Sequence, residues 1–248
     1  MAAIISELNQ FGGRVIDSST LPNDPQRFAR LLEESLAEWR ADHTKVVWLD
    51  LPIALVQLAP VAVEAGFVYH HADERLLELT LTVIPDSYVP PYATHYIGAG
   101  GVVLSDSGML LVVVERYRGK WGRHFKLPGG ALHPGEHIAD GVVREIREET
   151  GIEARFRSVV CFRHWHGYRF GKSDIYFVCR LDPLTEEIRR DPAEIDECLW
   201  MPVDEYLNHP EVHVFNRRIV EAALASEGLS RGSIDGYGKE STHELFFP

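Results

Sequence analysis

The residues best suited to chemistry are three glutamates, Glu145, Glu148 and Glu149, within the run GVVREIREETGI at positions 141–152. On a helix turning 100° per residue they fall within an arc of about 100°, while Ala139, Val142, Val143, Ile146 and Thr150 share another face. One face is therefore expected to pack and the other to present carboxylates. Like charges at this density raise one another's pKa and call for a cation. Hard carboxylate oxygens suit Mg2+ or Mn2+, which keep several waters and also take phosphate oxygens.

An isolated E-x-x-E-E is more often a solvated helix face, so the flanking residues decide the matter. Pro128-Gly129-Gly130 follows a short apolar run and leads toward the helix, and glycines there let backbone approach a ligand closely. Gly151 stands where a helix would end in a left-handed residue, and Glu136 stands near its N-terminus, where negative charge is favoured. Gly141, costly in a helix interior, is expected to leave room for substrate one turn before Glu145.

The stretch GALHPGEHIADGVVREIREETGI, residues 130–152, resembles the Nudix box, and the chain is identified by it as a member of the Nudix hydrolases. The resemblance implies an α/β/α sandwich around a mixed sheet and hydrolysis of a nucleoside diphosphate joined to another group. It implies that Glu145, Glu148 and Glu149 bind Mg2+ or Mn2+, that Gly129 contributes its carbonyl, that Arg144 holds a glutamate by a charge-assisted hydrogen bond, and that Glu136 orients the site. Tyr69-His70-His71-Ala72, Thr94-His95-Tyr96-Ile97-Gly98, Lys172-Ser173-Asp174 and Trp200-Met201-Pro202 are similar to a narrower subgroup. That subgroup includes plant ADP-ribose and NADH pyrophosphatases and an animal Nudix protein encoded antisense to a fibroblast growth factor. It implies a smaller acetyltransferase-like α/β domain ahead of the Nudix domain, and a homodimer. Phe125 stands where those relatives tend to have Trp, in the strand before the glycines.

The elements that must position these residues are legible from periodicity. Phe28, Leu31, Leu32, Leu36 and Trp39 mark a helix over 25–40, and a second helix is expected over 53–65, closed by Gly66. With strands at 14–16, 46–51, 67–71 and 76–83 they make an N-terminal α/β unit. The proline-rich segment IPDSYVPPY, 84–92, reads as a linker. Beyond it come a hairpin of 96–104 with 110–114, strands at 125–127, 156–162, 174–181 and 199–201, and helices at 137–150 and 215–225. The expected division is 1–88, 89–226 and a mobile tail, 227–248.

Outside the box, the segment RHWHGYRFGK, 163–172, is basic and aromatic in an acidic chain, and Arg163 and Arg169 are candidates to bind phosphate and stack on a base. Phe125 and Gly130 are further candidates for substrate contact. Glu194 and Glu197 in a late loop are candidates for the general base. His70, His71, His164 and His166 read more readily as packed or surface histidines than as metal ligands. No Gly-rich loop of the kind that holds coenzyme A occurs in residues 1–85, so the N-terminal unit is read as a packing or dimerisation module rather than an acetyltransferase.

Composition excludes several classes. A net charge of −12 repels polyanions, so nucleic acid is not an expected partner. The three cysteines form no C-x-x-C pair and point to reduced thiols. No apolar run reaches the roughly 20 residues of a membrane span, and no secretory signal is read at the N-terminus, so a cytoplasmic location is expected. Two alternatives stay open: the same chemistry on another nucleotide, such as a coenzyme A derivative, a diadenosine polyphosphate or a triphosphate, and a Nudix module that senses a nucleotide without cleaving it.

Overall fold

The computed structural model describes residues 4–117 and 122–248. The chain divides into two compact units between Ala93 and Thr94.

In the first unit, β1 (Ser6–Leu8), β2 (Arg14–Ile16), β3 (Val46–Pro52), β4 (Val68–Ala72) and β5 (Leu76–Thr82) form one sheet in the order β1-β2-β3-β5-β4. Helix α1 (Pro25–Ala41) starts where Asp24 accepts a hydrogen bond from the Arg27 amide and Pro25 supplies a fixed φ, and it buries Phe28, Leu32, Leu36 and Trp39. The second helix differs from expectation. Residues Ile53–Leu58 form a 3-10 segment and α2 covers only Ala59–Glu64. Pro60 is the reason, because its ring fits the first turn of a helix and not an interior. The paired histidines are packed: His70 contacts Glu78 and the Pro90 carbonyl, and His71 stacks on Tyr92 with ring centroids 3.4 Å apart.

The second unit carries the glutamate helix. Strands β6 (His95–Val103), β8 (Gly129–Ala131), β9 (Ala154–Trp165) and β10 (Ser173–Pro183) form a mixed sheet in the order β8-β6-β10-β9, with β6 and β10 parallel and the other pairs antiparallel. The expected hairpin does not close as one. Strand β7 (Met109–Glu115) meets the end of β6 through a single bridge, Leu104 to Leu110, and pairs instead with β11 (Ile195–Pro202). Alternation then serves two cores at once. Val102, Leu110, Val112 and Val178 face α4 (Val203–Asn208) and α5 (Val214–Ala225), while Ala99, Val103, Leu111 and Cys179 face α3 (Ile138–Thr150). The fold is an α/β/α sandwich with helices on both faces of the sheets.

Two further differences concern short elements. Residues 125–127 make only isolated bridges, Val113 with Lys126 and Phe125 with Val212, whereas β8 forms from Gly-Gly-Ala, a sequence with no side-chain pattern to announce it. The segment expected as a mobile tail is folded onto the unit. Its strands β12 (Ser230–Gly232) and β13 (Leu245–Phe247) pair, Leu229 bridges to Val159, and Phe246 packs on Phe156. Apolar side chains spaced widely along a Gly- and Ser-rich segment gave no periodicity to read.

Candidate active site

Helix α3 ends at Gly151, whose φ of +75° is left-handed, and buries Val142, Ile146 and Thr150 against the sheet. This packing turns Arg144 back along the helix, where its five N–H donors are all used. Nε and Nη2 donate to the two oxygens of Glu136 at 2.7 and 2.9 Å, Nη1 donates to Glu145 and Glu148 at 2.9 Å each, and Nη2 also reaches the Ala131 carbonyl. The guanidinium thus sits among three carboxylates, which raises its own pKa. It also holds the Glu136 carboxyl down at about 2, through the paired hydrogen bonds chiefly. Mutual repulsion among the glutamates, expected from their spacing, is relieved by a neighbour in the same helix.

Glu149 stands apart from that clamp. It is 6% exposed, and one carboxylate oxygen accepts a 2.9 Å hydrogen bond from the Gly129 amide. Burial pushes its carboxyl up to about 7, with the charges of Glu145 and Glu115 adding less and Lys126 opposing. Gly129 and Gly130 bring the backbone against these acids: Gly129 has φ +146°, and a Cβ on Gly130 would lie 2.6 Å from a Glu145 oxygen. Gly141 does not leave room for substrate as expected. A side chain there would collide with Leu132 at 2.2 Å and press on Glu136, so its smallness serves packing around the clamp.

Beside the glycines opens a cleft of about 530 Å³. Gly129, Gly130, Lys126, Arg163 and Arg169 line it, so the structure brings both candidate arginines to one space with Gly130. Arg163 donates to the buried Asp174 at 2.5 Å and lies over the rings of Trp165, Tyr176 and Phe215. Arg169 lies over Tyr168. Asp174, Tyr176, Glu115, Lys126 and Phe215 also line the cleft and were not candidates, because they come from separate elements with no common motif, whereas Tyr168 lies in the basic, aromatic run 163–172. For Asp174 the usable signal was the run Lys172-Ser173-Asp174.

Three expected residues fall elsewhere. Phe125 is 4% exposed and sits in the core with its ring edge-on to His209, because its backbone is tied to Val212 and Glu211, so it does not stack on a ligand. Glu197 belongs to β11 rather than a loop, and Arg123 engages it. Glu194 is exposed in the preceding turn, outside the cleft lining. His164 pairs with His95 through their Nε2 atoms at 2.8 Å, and His166 contacts Ser173.

The donor set accommodates a hard divalent cation. Glu145, Glu148 and Glu149 each commit one oxygen to Arg144 or to the Gly129 amide, and their second oxygens accept no protein hydrogen bond among the described residues. No three His, Cys, Asp or Glu side chains among those residues converge into a cage that holds an ion unaided. The oxygens left without a protein hydrogen bond suit Mg2+, which takes one or two carboxylates and completes its shell with waters and substrate phosphates.

A glutamate-bearing helix, a glycine turn against it and a mixed sheet with helices on both faces define a class, and the comparisons give its family. Residues 94–223 match the family model of the NUDIX domain, and residues 5–83 match a separate one described as a Nudix hydrolase domain. Nudix hydrolase 8 of Arabidopsis thaliana is 39% identical over 236 residues, covering 90% of this chain and 63% of that protein. Nudix hydrolase 2 of the same plant is 41% identical over 210 residues, covering 82% and 74%. The mouse protein named nucleoside diphosphate-linked moiety X motif 6 is 36% identical over 238 residues, covering 93% and 75%. The chain belongs to the Nudix hydrolase family. It spans less than two thirds of the length of Nudix hydrolase 8. No helix among the described residues is long and apolar enough to cross a membrane.

Proposed function

We propose that this chain hydrolyses the pyrophosphate link of a nucleoside diphosphate joined to another moiety, with ADP-ribose and NADH as its substrates. The carrying observation is the Arg144 clamp, which gathers Glu136, Glu145 and Glu148 around one guanidinium, with Glu145 against Gly130 of the turn that lines the cleft. Glu145 and Glu148, with Glu149 and the Gly129 carbonyl behind them, would hold Mg2+ or Mn2+. When bound, such an ion would neutralise charge on the phosphates and lower the pKa of a water.

The chain's own residues do the rest. Arg144 keeps Glu136 ionised and holds Glu145 and Glu148 in place by hydrogen bonds. Lys126 and Arg163 supply positive charge to the pyrophosphate oxygens, and Tyr96, Tyr168 and Phe215 offer ring faces to a base or nicotinamide. The water's proton passes to a carboxylate, either of α3 or at Glu194 or Glu197. Products are AMP with ribose 5-phosphate, or AMP with reduced nicotinamide mononucleotide. The reading includes a cytoplasmic homodimer in which the N-terminal unit serves packing or dimerisation, which sedimentation at several concentrations tests.

The deciding experiment is side-by-side turnover of ADP-ribose, NADH, diadenosine polyphosphates, triphosphates and coenzyme A with Mg2+ or Mn2+. Release of AMP from the first two at higher kcat/KM supports the reading. Preference for another nucleotide moves the chain to the first alternative, and binding without release moves it to a sensing module.

A further inference from the structure

Helix α3 begins without a cap of its own. His137 occupies the N-cap position with extended backbone, but its side chain makes no capping hydrogen bond. The first amides of a helix need acceptors, and two of them find one more than a hundred residues away. The Ile138 amide donates to one oxygen of Glu244 at 2.7 Å and the Ala139 amide to the other at 3.2 Å. The Glu244 side chain is only 6% exposed, and Arg231 of β12 stands 3.7 Å from it.

The contact is built rather than incidental. Strand β13, which follows Glu244, pairs with β12 and plants Phe246 against Phe156 and the core beneath α3. Leu229 exchanges hydrogen bonds with Val159 at the start of the same segment. A carboxylate at this end also meets the positive pole of the helix. All of these C-terminal residues lie beyond 94–223, the portion that matches the NUDIX family model.

We infer that Glu244 is a positioning residue of the active site, capping the glutamate helix from the C-terminal segment. It touches neither substrate nor the reacting atoms. It acts through Glu136, which immediately precedes the capped turn and takes two hydrogen bonds from Arg144. Fixing Ile138 and Ala139 fixes the approach of Glu136, and through Arg144 the placement of Glu145 and Glu148. The inference rests on the hydrolase reading for its catalytic part only.

The test uses the full chain carrying Glu244→Ala or Glu244→Gln, read by amide hydrogen exchange and by steady-state kinetics on ADP-ribose. In Glu244→Ala the amides of Ile138 and Ala139 exchange at least about tenfold faster while β6 and β10 keep their protection. Loss of a cap of ordinary strength, about tenfold in an equilibrium, lowers kcat by about as much, with KM within about twofold. Glu244→Gln keeps one acceptor oxygen and falls between Glu244→Ala and the wild type on both readouts. Unchanged exchange at Ile138 and Ala139 overturns the cap. Faster exchange there with kcat unchanged overturns the positioning role, as does uniformly faster exchange with kcat per folded molecule unchanged. If the wild-type chain hydrolyses no nucleotide, the functional reading fails and the exchange result alone decides the cap.

Discussion

The two ends of the site are built differently. At the helix end, Glu136, Arg144, Glu145, Glu148 and Glu149 lie within fourteen consecutive positions, and one guanidinium organises three of the acids. At the cleft end, Lys126, Arg163, Asp174 and Phe215 come from a loop, two strands and a helix that meet only when the sheet and α5 are in place. The helix end keeps its geometry through local bonds. The cleft end keeps it through packing, so the first should fail in chemistry and the second in binding.

The sharpest way to break that contrast is Glu148→Gln. It removes a charge from an exposed helix position, so the fold should survive while kcat drops more than about a hundredfold, beyond the loss typical of groups one step removed from a metal. Full activity would remove the carboxylate from the cation site. Arg144→Ala should cost both chemistry and stability, about 2–3 kcal/mol in urea unfolding, because Glu136 and Glu145 are left partly buried without their cation. A loss confined to activity would mean the clamp contributes nothing to folding.

Arg163→Ala probes the other end. Losing a charge-assisted contact and the ring contacts around it should raise KM about tenfold with kcat little changed, the pattern of uniform binding. A fall in kcat alone would place Arg163 with the chemistry and erase the division. Arg169→Ala, which loses one cation–π contact beside the cleft, should raise KM by about two- to threefold. Unchanged KM and kcat would leave the residue as ordinary loop.

The contrast between the two carboxyls Glu136 and Glu149 gives a pH test within the helix end. The folded chain holds the Glu149 proton to about 7 and the unfolded chain releases it near 4.5. Its stabilising contribution is therefore full below 4.5 and is lost as pH rises through 7. Glu136 has the opposite sign: its folded value of about 2 gives stability present above 4.5 and lost as pH falls toward 2. In chelator, urea midpoints should fall between pH 5 and 8 for the wild type and fall less for Glu149→Gln. Equal slopes would deny Glu149 its raised pKa.

Much of this molecule was determined by local sequence. The amphipathic period of 138–150 and the left-handed Gly151 set α3, and the i, i+4 placement of Arg144 and Glu148 set half the clamp, because neighbours on one helix meet whatever surrounds them. The strands with buried Val and Leu runs were equally plain. Tertiary structure alone decided that β7 leaves β6 for β11, that Phe125 turns into the core, that Glu197 is taken by Arg123, and that Gly141 makes room for Leu132. It also decided that Glu244 caps a helix begun at Ile138. These outcomes depend on which surfaces are buried against which, and residues far apart in the chain carry no mark of their partner until the core that joins them has formed.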